Sequence, residues 1–175
     1  MIKKNINTIV WQAAVVLISL DLFYWFNHLS KSQIKFLLDF YKKFPEIFFG
    51  HLFWYNEVEN WHSAGRYVIS KECLGLNIIV LIFGLCGVMN IGKLKGYKKP
   101  LWILTSAVLA ILFGVFANIL RLLSSVYFTA YANFNTIHTM LGIVIYLSAI
   151  IFCYVFFKRI KIKENGGSDN YEKHI

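Results

Sequence analysis

The 175-residue chain is 58% apolar and 18% aromatic, with only 15% charged residues and a positive mean hydropathy. A water-soluble domain of this size does not carry that much apolar surface, so the composition excludes a soluble enzyme and points to the membrane. The net charge of +9 is not a nucleic-acid signal, because Lys3 and Lys4, then Lys93, Lys95, Lys98 and Lys99, then Lys158, Arg159, Lys161 and Lys163 all flank apolar runs. Positive charge there sets orientation and meets anionic lipid.

Crossing a hydrocarbon core of about 30 Å takes roughly 20 helical residues. The first segment that qualifies is 8–26, with Asp21 as its one charge. It is too long for a signal-peptide core and no small-residue cleavage site follows, so it is expected to stay as an anchor. Residues 29–71 come next and interleave lysines with Phe, Leu, Tyr and Trp. Such a stretch carries too many charges to span, but suits an amphipathic helix lying in the interface, with Pro45 ending its first half. A surface anchor is the favoured role for this segment, ahead of a lid over substrate.

The second and third spans are 74–92 and 101–128, joined by a loop with four lysines in seven residues. The fourth is 139–157, reached through the uncharged stretch 125–137. The positive-inside rule then puts the N-terminus, the lysine loop and the C-terminal tail in the cytoplasm, with 29–71 and 125–137 outside. The expectation is an all-α integral membrane protein: one domain over 1–163, a bundle of about four transmembrane helices with an interfacial helical segment on the outer side. The polar end, 164–175, reads as a disordered cytoplasmic tail.

Three chemistry-bearing residues fall at the outer ends of three different spans. Cys73 precedes the second span, and with Ser70 as N-cap it occupies the third helical position, where an unpaired backbone N–H favours the thiolate. Glu72 beside it opposes that effect. Cys86 and Cys153 lie inside spans and read as packing residues; Cys86 is about 20 Å further along the same helix, beyond disulfide reach. Arg121 lies about 30 Å along its helix from Leu101, still among apolar residues, and an embedded charge of this kind usually faces the protein interior or a polar cavity. Asn118, one turn deeper, is placed to orient the arginine or a substrate. His138 precedes the fourth span behind the cap-type Asn135 and Thr136, a position that keeps an imidazole neutral, as a general base requires. Gly142 gives the face above it a flat, close-packing spot.

Cysteine with histidine is the common nucleophile and base pair, and a neighbouring cation supplies oxyanion stabilisation. The stretches Cys73-Leu74-Gly75, Asn118-Ile119-Leu120-Arg121 and His138-Thr139-Met140-Leu141-Gly142 resemble the exosortase/archaeosortase family of membrane cysteine transpeptidases, over roughly residues 71–157. The order Cys, Arg, His on successive spans is similar, and the small size resembles the short F-type exosortase branch. The resemblance implies cleavage of a C-terminal sorting tail (a short motif, a transmembrane helix and a basic cluster) from exported proteins at the outer face of a bacterial inner membrane. The cysteine would form an acyl-enzyme that passes to an acceptor. It implies Cys73 as nucleophile, His138 as acid/base and Arg121 as the group that stabilises the oxyanion or positions substrate, with Glu72, Gly75, Asn118 and Gly142 around them.

No cofactor or metal is expected, since the outer-face residues lack ligand spacing such as H-x-x-x-H. The alternative is a non-catalytic membrane subunit, either binding haem or quinone or serving an export complex. It leaves Arg121 without a purpose, and His28 and His138 are the only histidines at span ends.

Overall fold

The computed structural model describes residues 2–50, 52–56, 60–63, 67–128 and 133–159. Among these, four helical stretches are long and apolar enough to cross a membrane: Ile6–His28, Lys71–Ile91, Lys98–Phe128 and Phe134–Arg159. The chain is a mostly helical, multi-pass membrane protein. Its long helices are α1 (Ile2–His28), α3 (Leu76–Ile91), α4 (Lys98–Phe128) and α5 (Phe134–Arg159), with α2 (Lys31–Phe49) outside the set of four. The tail read as disordered, 164–175, lies outside the described residues.

The spanning helices are apolar on nearly every face because lipid and core are both apolar, and a helix meets its own backbone hydrogen bonds. Leu17 and Leu20 on α1 and Ile143, Val144 and Leu147 on α5 are exposed, the faces that lipid would cover. The middle of the bundle is α3, which packs on α1, α4 and α5. Its core joins Val15, Ile82, Cys86, Ala110, Cys153 and Phe157, so both inner cysteines are packing residues. Lipid offers no hydrophobic drive for helix association, so close backbone approach and interhelical hydrogen bonds carry it. Gly87 lies against Val15, where an added Cβ would be 2.7 Å from Val15 Cγ1, and one at Gly114 would fall 2.3 Å from Ile79 Cγ1. Asn90 Nδ2 donates to Phe157 O at 3.2 Å, and Trp102 Nε1 to Cys86 O at 3.1 Å. Near the lysine loop, buried Lys99 donates to Asn7 Oδ1 at 2.6 Å, tying α4 to α1.

The segment between α1 and α3 departs from expectation twice. Pro45 does not end a helix: α2 runs through it to Phe49 and stops at Gly50, which takes a left-handed φ of 67° and donates to Glu46 O. The cost of the missing N–H is offset by burial, because Ile34, Leu38, Tyr41 and Pro45 form one stripe at helical spacing and all four are buried. The start is a capping arrangement in which Ser30 N donates to Gln33 Oε1 at 2.8 Å. The second departure is that the chain is not all-α. Strands β1 (Trp54–Asn56), β2 (Asn60–Ser63) and β3 (Tyr67–Ile69) form a small antiparallel sheet in that order, with Tyr55 opposite Trp61 and His62 opposite Val68. Aromatic and β-branched residues favour strands, and charges on α2 cover their rings. Lys35 Nζ sits 4.2 Å from the centre of Tyr55 and Lys42 Nζ 3.9 Å from that of Trp61.

The α3–α4 contact supplies a stability test. Gly114→Leu forces a side chain into Ile79 and should cost about 1–3 kcal/mol. Thermal unfolding in detergent is expected to show a lowered midpoint, and an unchanged midpoint would refute the close packing at this position.

Candidate active site

Cys73 is not on α3. Residues Lys71–Leu74 form a single 3-10 turn, Gly75 breaks the chain direction with a φ of 63°, and α3 begins at Leu76. Ser70 is the N-cap and Cys73 the third helical residue, as expected, but of this short turn and not of the span; Cys73 N donates to Ser70 O at 2.9 Å, so it is not the unpaired donor expected to favour a thiolate. Gly75 is required for two reasons. Its left-handed backbone disfavours any Cβ, and an added Cβ would lie 2.6 Å from Asn118 Oδ1 and 2.8 Å from the Tyr146 hydroxyl. Lys71 anchors the turn to the end of α1 by donating to Asn27 O at 2.7 Å and Leu29 O at 3.1 Å, where a cation suits the free carbonyls of a helix terminus. The thiol is 3% exposed and shares a cluster with Ile34, Leu38 and Tyr41 of α2, Ile69 of β3 and Leu122 of α4.

One face of α4 carries Asn118, Arg121 and Ser125, all buried. Asn118 Nδ2 donates to the main-chain oxygen of Cys73, and its Oδ1 accepts from the Tyr146 hydroxyl at 2.8 Å. It thus holds the cysteine turn and α5, and neither of these bonds goes to Arg121, the partner first expected. Arg121 faces the protein. Its Nη2 donates to the main-chain oxygen of Glu72 at 2.8 Å, and its guanidinium carbon lies 4.7 Å from the centre of the Tyr146 ring. Gly142 makes room for it, since an added Cβ there would be 3.3 Å from Arg121 Cδ. The Glu72 carboxylate accepts from Ser70 Oγ. Arg121 Nε is buried and has no hydrogen-bond partner among the described residues. A recess of about 180 Å³ opens beside it, lined in part by Asn27, Lys71, Glu72, Asn77 and Tyr146.

His138 lies in the second turn of α5, not at its start. The helix begins at Phe134 behind Asn133, whose Oδ1 accepts from Asn135 N at 2.9 Å and whose main-chain oxygen accepts from Ile137 N. Asn133 therefore takes the cap position expected of Asn135 and Thr136, and α4 and α5 shorten the expected outer loop from both sides. Phe134 stacks on the imidazole with ring centres 5.1 Å apart. Nε2 of His138 is 3.5 Å from Cys73 Sγ, and Nδ1 is 3.0 Å from Ser125 Oγ. A thiol within hydrogen-bond distance of an imidazole nitrogen is the arrangement in which the sulfur proton can transfer.

The geometry joins Glu72, Cys73, Gly75, Asn118, Arg121, His138 and Gly142 in one continuous set of contacts. It adds three residues that sequence reasoning had not assigned to this set. Ser125 repeats the Arg121 face one turn on, a spacing that was readable. Tyr146 is eight residues after His138, two helical turns along α5, and was readable in the same way. Tyr41 was not readable, because nothing in its own segment ties α2 to α4. Burial pushes its phenol above the usual range, against the opposing effects of a hydrogen bond with Asn118 and the Arg121 charge. Among the described residues no group of three or more His, Cys, Asp or Glu side chains is placed to hold a metal. No family model, curated protein or solved structure matches this chain.

The Asn118 bridge gives a direct test. Asn118→Leu leaves the Cys73 carbonyl and the Tyr146 hydroxyl without their partner, at about 1–3 kcal/mol for each buried group. The variant is expected to melt earlier and to expose Cys73 to thiol reagents at a faster rate, located by peptide mass mapping. Unchanged melting and labelling would remove Asn118 from this role.

Proposed function

We propose that this chain is a membrane cysteine protease or transpeptidase of the exosortase kind, acting on the C-terminal sorting tails of exported proteins. The observation that carries the reading is the contact between Cys73 Sγ and His138 Nε2 at 3.5 Å, made by residues 65 positions apart on separate elements. A lone buried cysteine is ordinarily a packing residue. This one meets an imidazole, and a guanidinium whose buried Nε–H has no partner among the described residues bonds the main-chain oxygen of the preceding residue.

In this reading Cys73 passes its proton to His138 and attacks the scissile carbonyl. The developing oxyanion, or the neighbouring substrate backbone, is met by Arg121. Collapse expels the amine of the tail, which takes the proton from His138, and an acyl-enzyme remains on Cys73. An amine or similar acceptor, or water, then releases it. The thiol lies beneath α2, so access for substrate requires α2 and the sheet to shift. That favours a covering role for the segment, alongside the surface anchoring expected from its lysines and aromatics. The site faces outward, with both termini in the cytoplasm of a bacterium and the chain in its inner membrane. The interfacial placement of α2 belongs to the same proposal, and its exposed Phe36, Phe40, Ile47 and Phe48 support it.

Cys73→Ala and Arg121→Ala are expected to abolish C-terminal processing of exported proteins, measured by mass spectrometry, while the variant proteins accumulate normally. Full processing by Cys73→Ala would sink the mechanism. Orientation is checked separately in the Asn118→Leu protein, whose thiol is expected to be more accessible: a membrane-impermeant thiol reagent should label Cys73 in intact cells from the outside.

A further inference from the structure

Each hydrogen bond around His138 constrains the next. Ser125 Oγ is 2.6 Å from the main-chain oxygen of Arg121, one helical turn back. A carbonyl can only accept, so the hydroxyl hydrogen of Ser125 points there. With that hydrogen spent, Ser125 Oγ meets His138 Nδ1 at 3.0 Å as an acceptor, and Nδ1 must carry the ring hydrogen. In a neutral imidazole the other nitrogen is then the bare one, and it is Nε2 that faces Cys73 Sγ at 3.5 Å. The opposite tautomer would need Ser125 to abandon the Arg121 carbonyl in a fully buried setting, and would aim an N–H at the thiol.

We infer that Ser125 is a positioning residue that holds His138 in the tautomer able to take the Cys73 proton, the part an aspartate or asparagine plays in other nucleophile–histidine sites. The inference rests on the proposed cysteine chemistry for its purpose, though its geometry stands apart from any substrate. The step balances. The S–H bond of Cys73 breaks, its proton forms a bond to His138 Nε2, and the resulting imidazolium still donates from Nδ1 to Ser125 Oγ. The same proton later leaves with the amine, returning the ring to its starting tautomer.

The arrangement also explains why a neutral hydroxyl suffices. A hydroxyl whose own hydrogen is committed to the helix backbone becomes a directional acceptor without adding charge to an apolar bundle, where an unpaired carboxylate is costly.

The test is nitrogen NMR of histidine-labelled protein in lipid nanodiscs, with the His138 signal among the five histidines assigned by its loss in His138→Gln. Wild-type protein is expected to carry the ring hydrogen on Nδ1, Ser125→Ala to lose that preference, and Ser125→Thr, which keeps the hydroxyl, to retain it. A positioned base is worth about 10²–10⁴-fold, so Ser125→Ala should slow C-terminal processing by about tenfold to a hundredfold, with Ser125→Thr recovering most of the rate. A wild-type ring protonated at Nε2, or a tautomer unmoved in Ser125→Ala, overturns the inference; the wild-type spectrum alone decides if Ser125→Ala fails to fold. Should the tautomer behave as expected while Cys73→Ala still processes, the proposed function fails and the positioning role stands.

Discussion

A guanidinium taken out of water has to have its N–H groups met or it destabilises the fold that holds it. Arg121 is 7% exposed in a 31-residue apolar helix, and the site meets part of that demand while leaving Nε without a partner among the described residues. The main-chain oxygen of Glu72 takes one N–H, the Tyr146 ring lies under the planar group, and Gly142 yields the space. To present that oxygen, the chain before α3 must leave helical geometry. The 3-10 turn, the left-handed Gly75 and the Asn118 bond to the Cys73 carbonyl are the means. The turn that meets the arginine is thus the same turn that holds the thiol.

The segment between α1 and α3 is bound into the same arrangement and does not merely rest on it. Lys71 closes the end of α1, and the buried stripe of α2 lands on the cysteine turn and on Leu122. Ile34, Leu38 and Tyr41 of that stripe share one buried cluster with Cys73 and Leu74, so any movement of α2 would be felt directly at the cysteine turn.

Hydropathy and charge made the four long apolar segments legible, because a bilayer demands length and apolarity from any chain that crosses it. The grouping of Cys73, Arg121 and His138 at one set of span ends was legible for the same reason, since span ends mark depth. What depth does not reveal is rotation about each helix or the path between helices. Asn118 therefore read as a partner of Arg121, when it turns toward the cysteine carbonyl. Asn133, not Asn135 or Thr136, starts α5, because caps are settled by local hydrogen bonds that several nearby polar residues compete to make. Pro45 read as a stop because the penalty for proline is local, whereas the burial that offsets it comes from α4 and the turn. The short sheet was missed because three- and four-residue strands carry too little periodicity to stand out among aromatics.

The face of α4 that carries Asn118, Arg121 and Ser125 makes helix phase a structural quantity. Each residue added or removed between positions 118 and 125 would turn everything beyond it by about 100° and shift it by about 1.5 Å. Phe116, Leu120 and Tyr127, exposed on the other side, carry no such constraint beyond being apolar. The lipid-facing composition of this helix is free to drift over time, while its residue count across those two turns is not.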